Sequence, residues 1–198
     1  MNKVIKIDLL KAQKPKNIEE FGYWLAGLTD ADGHISKEDY VIIIFHEREL
    51  SVAYYIKKII GYGSILKLKG SKSYRYRCCR TNKVRWIGQI IRDKLRHENK
   101  VEQFNSRLVP KIGGNETKSN LSINFEKHWL AGFVQGDGSF QIQINNRATS
   151  KEQIMVVIQI SQKKSLLLQQ IKEAFGGVIY YYKPQDYYFI LLAVFQTQ

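Results

Sequence analysis

Two aspartates, Asp32 and Asp137, stand 105 positions apart (137 − 32), each near the end of the same decapeptide. Residues 24–33 read WLAGLTDADG and residues 129–138 read WLAGFVQGDG. Carboxylates are ligands for hard divalent cations, and two of them, with water and phosphate oxygens completing the shell, suit Mg²⁺. Ions held in this way can activate water and stabilise developing charge on oxygen atoms. Because the motif recurs at about half the chain length, the two acids belong to a duplicated unit.

The residues around each acid indicate what positions it. Phe21, Leu25 and Leu28, and likewise Leu130, Phe133 and Val134, keep the three- and four-residue spacing of one apolar helix face. Asn17 and Asn124 are expected as N-caps, and Gly33 and Gly138 as glycines ending each helix in a left-handed turn. A second stripe, Gly27-x-x-x-Ala31 and Gly132-x-x-x-Gly136, is small enough to let two backbones approach closely. Two helices packed through these stripes and running in the same direction bring Asp32 and Asp137 together at their C-terminal ends. Helix C-termini carry partial negative charge, so paired carboxylates there are unfavourable, and a divalent cation resolves the conflict. The plainer alternative is a duplicated helix hairpin whose Asp-Gly endings are only caps, although Asp suits a helix C-terminus poorly.

The two decapeptides resemble the paired signature of LAGLIDADG homing endonucleases, in the single-chain form that carries both copies, and the resemblance covers roughly Phe21 to the C-terminus. It implies that Asp32 and Asp137 bind the catalytic metals together with the backbone carbonyls just before them, at Ala31 and Gly136. Two or three Mg²⁺ ions are implied, with Mn²⁺ or Ca²⁺ able to substitute in a crystal. Gln162 in the second copy and Glu47 in the first, at the start of the helix after each return strand, are implied to order water near the metals. Lys100 is implied to lie near the scissile phosphates. The activity implied is double-strand cleavage across the minor groove of a long DNA target, leaving short 3′ overhangs. Genes of this kind sit in introns or inteins of organelles, archaea or phages. The second copy has Gln135 where the first has Asp30, a position that is not the principal metal ligand in the family.

Composition agrees with a nucleic-acid partner. Lys+Arg number 31 against 18 Asp+Glu, a net charge of +13, which is the electrostatic footprint of a polyanion binder. Cys78 and Cys79 are adjacent, which is awkward for a mutual disulfide and wrong for a zinc site, so they fit a reducing compartment and strand packing. No apolar run approaches the roughly 18 residues of a membrane span. Residues 1–13 lack the apolar core and cleavage site of a signal peptide and are expected as an arm on DNA.

Along the chain, a short hairpin (34–37 and 40–45) follows the first motif, then a helix (46–60) stopped by Gly61 and Gly63. A second hairpin (64–69 and 74–81) leads to a helix capped by Asn82 with Val84, Ile87, Ile91 and Leu95 on its buried side. A last helix, 99–109, is expected to end at Pro110. The second copy repeats this order with strands at 139–146 and 154–161, a helix at 162–175, and strands at 178–183 and 187–195.

Strand faces carry the expectation of DNA contact. Phe140, Ile142 and Ile144 share one side; Gln141, Gln143, Asn145 and Arg147 share the other, continued by Gln159 and Ser161 on the return strand. Gln, Asn and Arg pair bidentately with adenine and guanine edges in the major groove, which admits a two-stranded ribbon. A solvated sheet needs only polar residues outside, yet it usually draws on Lys, Glu and Thr. Ser36 and Ser139 are expected beside this face, and Lys67, Lys69, Arg75, Arg77 and Arg80 as phosphate contacts. The first hairpin is the shorter, 13 positions from Asp32 to Phe45 (45 − 32) against 23 from Asp137 to Ile160 (160 − 137), and its return strand offers only Ile42 and Ile44. The second half is therefore expected to read more bases.

The expected fold is α+β, with two pseudo-symmetric αββαββ halves joined at the motif helices and antiparallel sheets forming a DNA-binding saddle. Residues 1–112 are expected as the first half with its arm, 113–123 as a linker, and 124–198 as a second half without terminal helices. The expected protein is a monomeric, magnesium-dependent endonuclease on double-stranded DNA. An RNA maturase acting on intron RNA and a binding-only relative are the alternatives. Its Ile, Lys, Asn and Tyr content fits an A·T-rich genome, hence an organelle, mitochondrion or chloroplast, and otherwise the cytoplasm.

Overall fold

The computed structural model describes residues 14–38, 40–122, 126–146 and 152–196, with the side chains of 143–146, 152–153 and 193–196 left aside. The expected N-terminal arm, the Asn124 cap and Arg147 lie outside the described residues, as do the side chains of Gln143, Ile144 and Asn145. The first half runs α1 (Ile18–Asp32), β1 (Gly33–Ile35), β2 (Val41–His46), α2 (Leu50–Ile60), β3 (Ser64–Lys67), β4 (Ser73–Cys78), α3 (Thr81–Ile91), α4 (Glu98–Gln103) and α5 (Val109–Ile112). The second runs α6 (Lys127–Asp137), β5 (Gly138–Asn146), β6 (Glu152–Gln162), α7 (Leu166–Phe175), β7 (Val178–Tyr182) and β8 (Tyr187–Gln196). Each half holds a four-stranded antiparallel sheet, ordered β1-β2-β4-β3 and β5-β6-β8-β7, so the expected α+β architecture and the duplicated αββαββ order are both present. Among the described residues no helix is long and apolar enough to cross a membrane.

Helices α1 and α6 pack against each other along their small-residue stripes. A Cβ added to Gly27 would lie 2.0 Å from the Trp129 carbonyl oxygen, and one added to Gly132 would lie 2.0 Å from that of Trp24. The two contacts are related by the motif offset of 105 positions (129 − 24 and 132 − 27), the signature of a pseudo-twofold axis between the helices. Phe21, Leu25, Leu28, Trp129 and Phe133 are fully buried around this contact. Asn17 caps α1 as expected, accepting from the Glu20 amide at 2.9 Å. Helix α6, by contrast, is capped by Glu126, which accepts from the His128 amide at 2.6 Å.

Gly33 and Gly138 do not adopt the expected left-handed turn. Both are extended (φ −75° and −95°) and open the strands β1 and β5. Glycine is required there for space: a Cβ on Gly33 would come within 2.5 Å of the Thr29 Cα, and one on Gly138 within 2.5 Å of the Val134 carbonyl oxygen. The chain thus turns straight from motif helix to strand, fixing each aspartate at the junction. Gly61, with φ +71°, does end α2 in the left-handed region.

The closing helices depart from expectation in two places. Asn82 lies inside the first turn of α3, with Arg80 at the cap position, and Leu95 is buried beyond the helix end rather than on it. Pro110 does not stop the last helix: the chain widens into a π turn over residues 104–108 and continues as α5. A proline in the first turn of that segment loses no helical hydrogen bond. The segment after Gly113 is strapped down, with Arg92 donating to the Gly113 and Asn115 carbonyls and Arg96 to those of Asn120 and Ser122.

The apolar face of β5 is the largest surprise. Phe140 and Ile142 are 70% and 71% exposed, although their alternation predicts burial. In the first half the outer strand is covered, since Gln103 accepts from the Ile35 amide at 3.1 Å and Arg107 donates to the Ile35 carbonyl. Among the described residues no helix lies in the corresponding place against β5. Further along the same sheet face, Ile160 and Ile190 are buried with Leu168 and Ile171 of α7.

Candidate active site and nucleic-acid face

The close helix contact delivers Asp32 and Asp137 to one place. A Cβ on Gly136 would meet the Ala31 Cβ at 2.5 Å and the Asp32 Oδ2 at 3.1 Å, so the Asp32 carboxylate lies over the end of the partner motif. Burial, and then the charge of Asp32, push the Asp137 carboxyl up to about 6, against opposing pulls from Gln162 and Lys100. Asp32 is likewise raised, by burial first and the charge of Glu49 second. The last intrahelical bonds run from the Gly33 amide to the Thr29 carbonyl and from the Gly138 amide to the Val134 carbonyl. The Ala31 and Gly136 carbonyls therefore belong to the terminal set that no helical amide satisfies. Two strained carboxylates beside two such carbonyls form a hard-oxygen donor set that fits a divalent cation sharing its remaining positions with water or phosphate.

The electrostatic strain has a measurable consequence in the metal-free protein. A folded-state pKa near 6, above the ordinary carboxylate value of 3.8, means that the protonated form is favoured by the fold. That contribution is complete below about pH 4 and lost as the pH rises through about 6. Asp137→Asn is thus expected to raise Tm in EDTA at pH 7.5 by the equivalent of about 1–3 kcal/mol, and to leave it unchanged at pH 4. A lower Tm at pH 7.5 would show that the fold relies on the charged carboxylate.

Lys100 joins the pair from α4. Its Nζ donates to the Gly33 carbonyl at 2.5 Å, and burial pushes its ammonium below the usual range against the charges of Asp30, Asp137 and Asp32. Gln162 closes β6 instead of opening a helix, and its side-chain amide donates to the Asp137 Oδ2. Glu47 has no matching position. It is exposed on a 3-10 turn (Glu47–Glu49), while Glu49 is the acid whose charge reaches Asp32 and whose carboxylate accepts from Gln135. Strand register explains the mismatch: Gly33 faces Ile43 as Gly138 faces Ile160, so the counterpart of Gln162 is Phe45. The two acids accordingly have unequal surroundings.

Asp30 is a further residue of the site that its motif position alone does not reveal. It is buried and accepts from the amides of Arg96 (2.8 Å) and His97 (3.1 Å) and from the indole of Trp129 (2.9 Å). His97 in turn caps α4, its Nδ1 accepting from the Asn99 amide at 3.3 Å. Asp30 therefore ties the first motif helix both to the second and to the helix carrying Lys100. Burial raises its carboxyl to about 7 despite these bonds.

Of the residues expected on DNA, Ser139, Gln141, Gln159 and Ser161 share the sheet face opposite Ile160 and Ile190, where Gln141 donates to the Gln159 carbonyl oxygen (2.7 Å) and Gln159 to the Ser161 hydroxyl (3.4 Å). Ser36 is not among them; it is buried, its hydroxyl accepting from the Tyr40 amide at 3.1 Å in the β1–β2 turn. Lys67, Lys69 and Arg80 are exposed around the β3 side of the first sheet, and Arg80 lies over the Tyr62 ring at 5.5 Å. Arg75 and Arg77 are only partly exposed, on the central strand β4. Ribbon length differs more than expected: β1 and β2 pair over three residues, β5 and β6 over nine. Cys78 is buried and Cys79 lies beside the Tyr62 hydroxyl; both are free thiols, as strand packing requires.

Comparison with known proteins fits this architecture. The family described as LAGLIDADG endonuclease matches residues 130–197. A cox1 intron-2 protein of 37.2 kDa from Schizosaccharomyces pombe is 38% identical over 193 residues, covering 94% of this chain and 59% of that protein. A probable intron-encoded endonuclease 4 of Neurospora crassa is 25% identical over 171 residues, covering 79% of this chain and 31% of that protein. The chain thus spans only part of the length of the curated relatives it matches. Among solved structures, the meganuclease I-SmaMI bound to uncleaveable DNA superposes with a TM-score of 0.65 at 20% identity, covering 87% of this chain and 79% of that one, a likeness of fold. With both decapeptides closing paired helices and each followed by the same four-stranded sheet, the chain carries two copies of one unit, and the LAGLIDADG endonuclease family model matches the second.

Proposed function

We propose that this protein is a site-specific endonuclease that breaks both strands of a long DNA target by metal-dependent phosphodiester hydrolysis. The observation that carries the proposal is the juxtaposition of Asp32 and Asp137 at the ends of two helices whose backbones touch at Gly27 and Gly132. Members of the family use divalent metals. Asp32, Asp137 and the Ala31 and Gly136 carbonyls would hold Mg²⁺, which when bound lowers the pKa of water and neutralises phosphate charge. Gln162, fixed on the Asp137 Oδ2, orients that carboxylate and keeps its own carbonyl oxygen for a water. Lys100, beside both acids, offers a positive charge to the phosphate that approaches them. The net charge of +13 draws DNA to the protein, and the polar sheet faces carry side chains suited to base edges. The similarity to a cox1 intron-2 protein, together with an Ile, Lys, Asn and Tyr content that fits an A·T-rich genome, supports action in an organelle.

The test is incubation of the protein with Mg²⁺ and a library of randomised duplexes, followed by sequencing of the cut ends. Cut ends converging on one sequence are expected. Nine paired residues at about 3.4 Å each reach roughly three times as far as three. More restricted positions are therefore expected under the second half than under the first. Equal restriction on both sides would sink the role given to ribbon length. Retained binding without any cut ends would sink the nuclease reading itself.

A further inference from the structure

We infer that Arg75 and Arg77 read two guanines, separated by one base pair, in the part of the target under the first sheet; the inference rests on the DNA-binding reading above. By residue type alone these arginines group with Lys67, Lys69 and Arg80 as phosphate contacts. The structure separates them. Strand β4 is central, between β2 and β3, and its alternate residues Tyr76 and Cys78 are fully buried in the core. Arg75 and Arg77 therefore leave the sheet on the opposite face. Register places Arg75 between Ile44 and Leu66, and Arg77 between Ile42 and Ser64.

Both Nε atoms are buried without a hydrogen-bond partner, and the Arg77 guanidinium lies 4.9 Å over the Tyr40 ring. Neither arginine forms an ion pair with a carboxylate among the described residues. An arginine whose stem and Nε are set into apolar surface presents its two terminal nitrogens outward as a fixed fork. That fork matches the O6 and N7 acceptors of guanine, the commonest specific contact in the major groove. Phosphate contacts, by contrast, are made well by exposed cations such as Lys67 and Lys69 at the sheet margin.

Spacing supplies the second half of the inference. Alternate residues of a strand are about 6.8 Å apart, which equals two base-pair steps of about 3.4 Å. A strand following the groove thus sets its two forks on bases with one pair between them. Ile42, Ile44 and Leu66 flank the forks and offer no hydrogen bond, only apolar contact of the kind a thymine methyl accepts. The first sheet, whose β1–β2 ribbon is short, would then obtain its sequence information from two strong contacts on β4 rather than from ribbon length.

Binding, not cleavage, tests this. The Asp32→Asn, Asp137→Asn double variant is mixed with randomised duplexes, and the bound fraction is sequenced. Two guanine columns at positions n and n+2 on one side of the site are expected. Adding Arg77→Gln should abolish one guanine column in favour of adenine, by about 5- to 150-fold, with the other columns unchanged; Arg75→Gln should do the same to the second. Arg→Lys at either position keeps the charge but not the fork, and should lose the guanine column while keeping the salt dependence. Enriched sequences without paired guanines would overturn the inference and leave the DNA-binding reading standing. So would variants that weaken all sequences alike with unchanged preferences. No enrichment by the double variant, still folded by circular dichroism, would overturn both.

Discussion

Asp32→Asn and Asp137→Asn are each expected to reduce double-strand cleavage by about a thousandfold or more while leaving DNA affinity within about tenfold. The first effect follows from metal binding. Each substitution replaces an anionic ligand by a neutral amide in a site of two carboxylates and two carbonyls, and metal stabilisation of the transition state is worth several kcal/mol. At 1.36 kcal/mol per decade of rate, losing most of that accounts for the factor. The second effect follows from place. Both acids sit at the helix junction, among partly buried groups, whereas Lys67, Lys69 and Arg80, suited to phosphate, are exposed on the first sheet. Removing a negative charge near bound DNA should, if anything, tighten nonspecific binding at low salt. Cleavage and gel-shift measurements on the same preparations decide it. Loss of binding together with cleavage, in a protein of unchanged circular dichroism, would mean that the acids organise the fold and do no chemistry.

The two acids were legible in the sequence because everything that brings them together is local and is written twice. Helical spacing, a small-residue stripe and an Asp-Gly ending recur at one offset, and packing the two helices in the same direction through both stripes sets the acids side by side. What depends on neighbours distant in sequence was less legible. Gly33 shows this at the level of one residue: a left-handed cap and a crowded helix-to-strand junction both demand glycine, and only the Thr29 contact tells them apart. Alternation correctly grouped Phe140 with Ile142, but alternation says which residues share a face and not whether anything covers it. The resemblance points to Glu47 only as the residue that follows the return strand. Strand register makes Phe45 the counterpart of Gln162, and the 3-10 turn after β2 leaves Glu49, not Glu47, as the acid whose charge reaches Asp32. Charge alone could not separate Arg75 and Arg77 from the exposed lysines, since a central strand and a margin differ only in what pairs beside them.

The contact that joins the two motifs should be intolerant of a single methyl group. At Gly132 an added Cβ would stand 2.0 Å from the Trp24 carbonyl oxygen and 2.9 Å from the Leu28 amide nitrogen. These are backbone atoms of a helix, unable to swing aside as a side-chain terminus can, so relief requires the helices to separate. Separation would strip contact from Trp129 and Phe133, both buried, and lengthen the indole bond from Trp129 to Asp30. Overpacking typically costs about 1–3 kcal/mol and occasionally more, and a domain of this size loses about 2–4 °C of Tm per kcal/mol. Gly132→Ala is therefore expected to lower Tm by about 5–10 °C, and Gly132→Leu to prevent folding at 37 °C. Gly88→Ala is the matched control. Its nearest foreign atom is the Ile112 Cδ1 at 3.0 Å, the end of a flexible side chain, so a shift of at most about 2–4 °C is expected. The functional consequence should follow the same order, because helices held apart at Gly132 also draw Asp137 away from Asp32. Gly132→Ala, measured well below its Tm, should bind DNA and cleave slowly, with Gly88→Ala close to wild type. Equal melting temperatures for the two variants would show that the motif helices do not meet through their glycines.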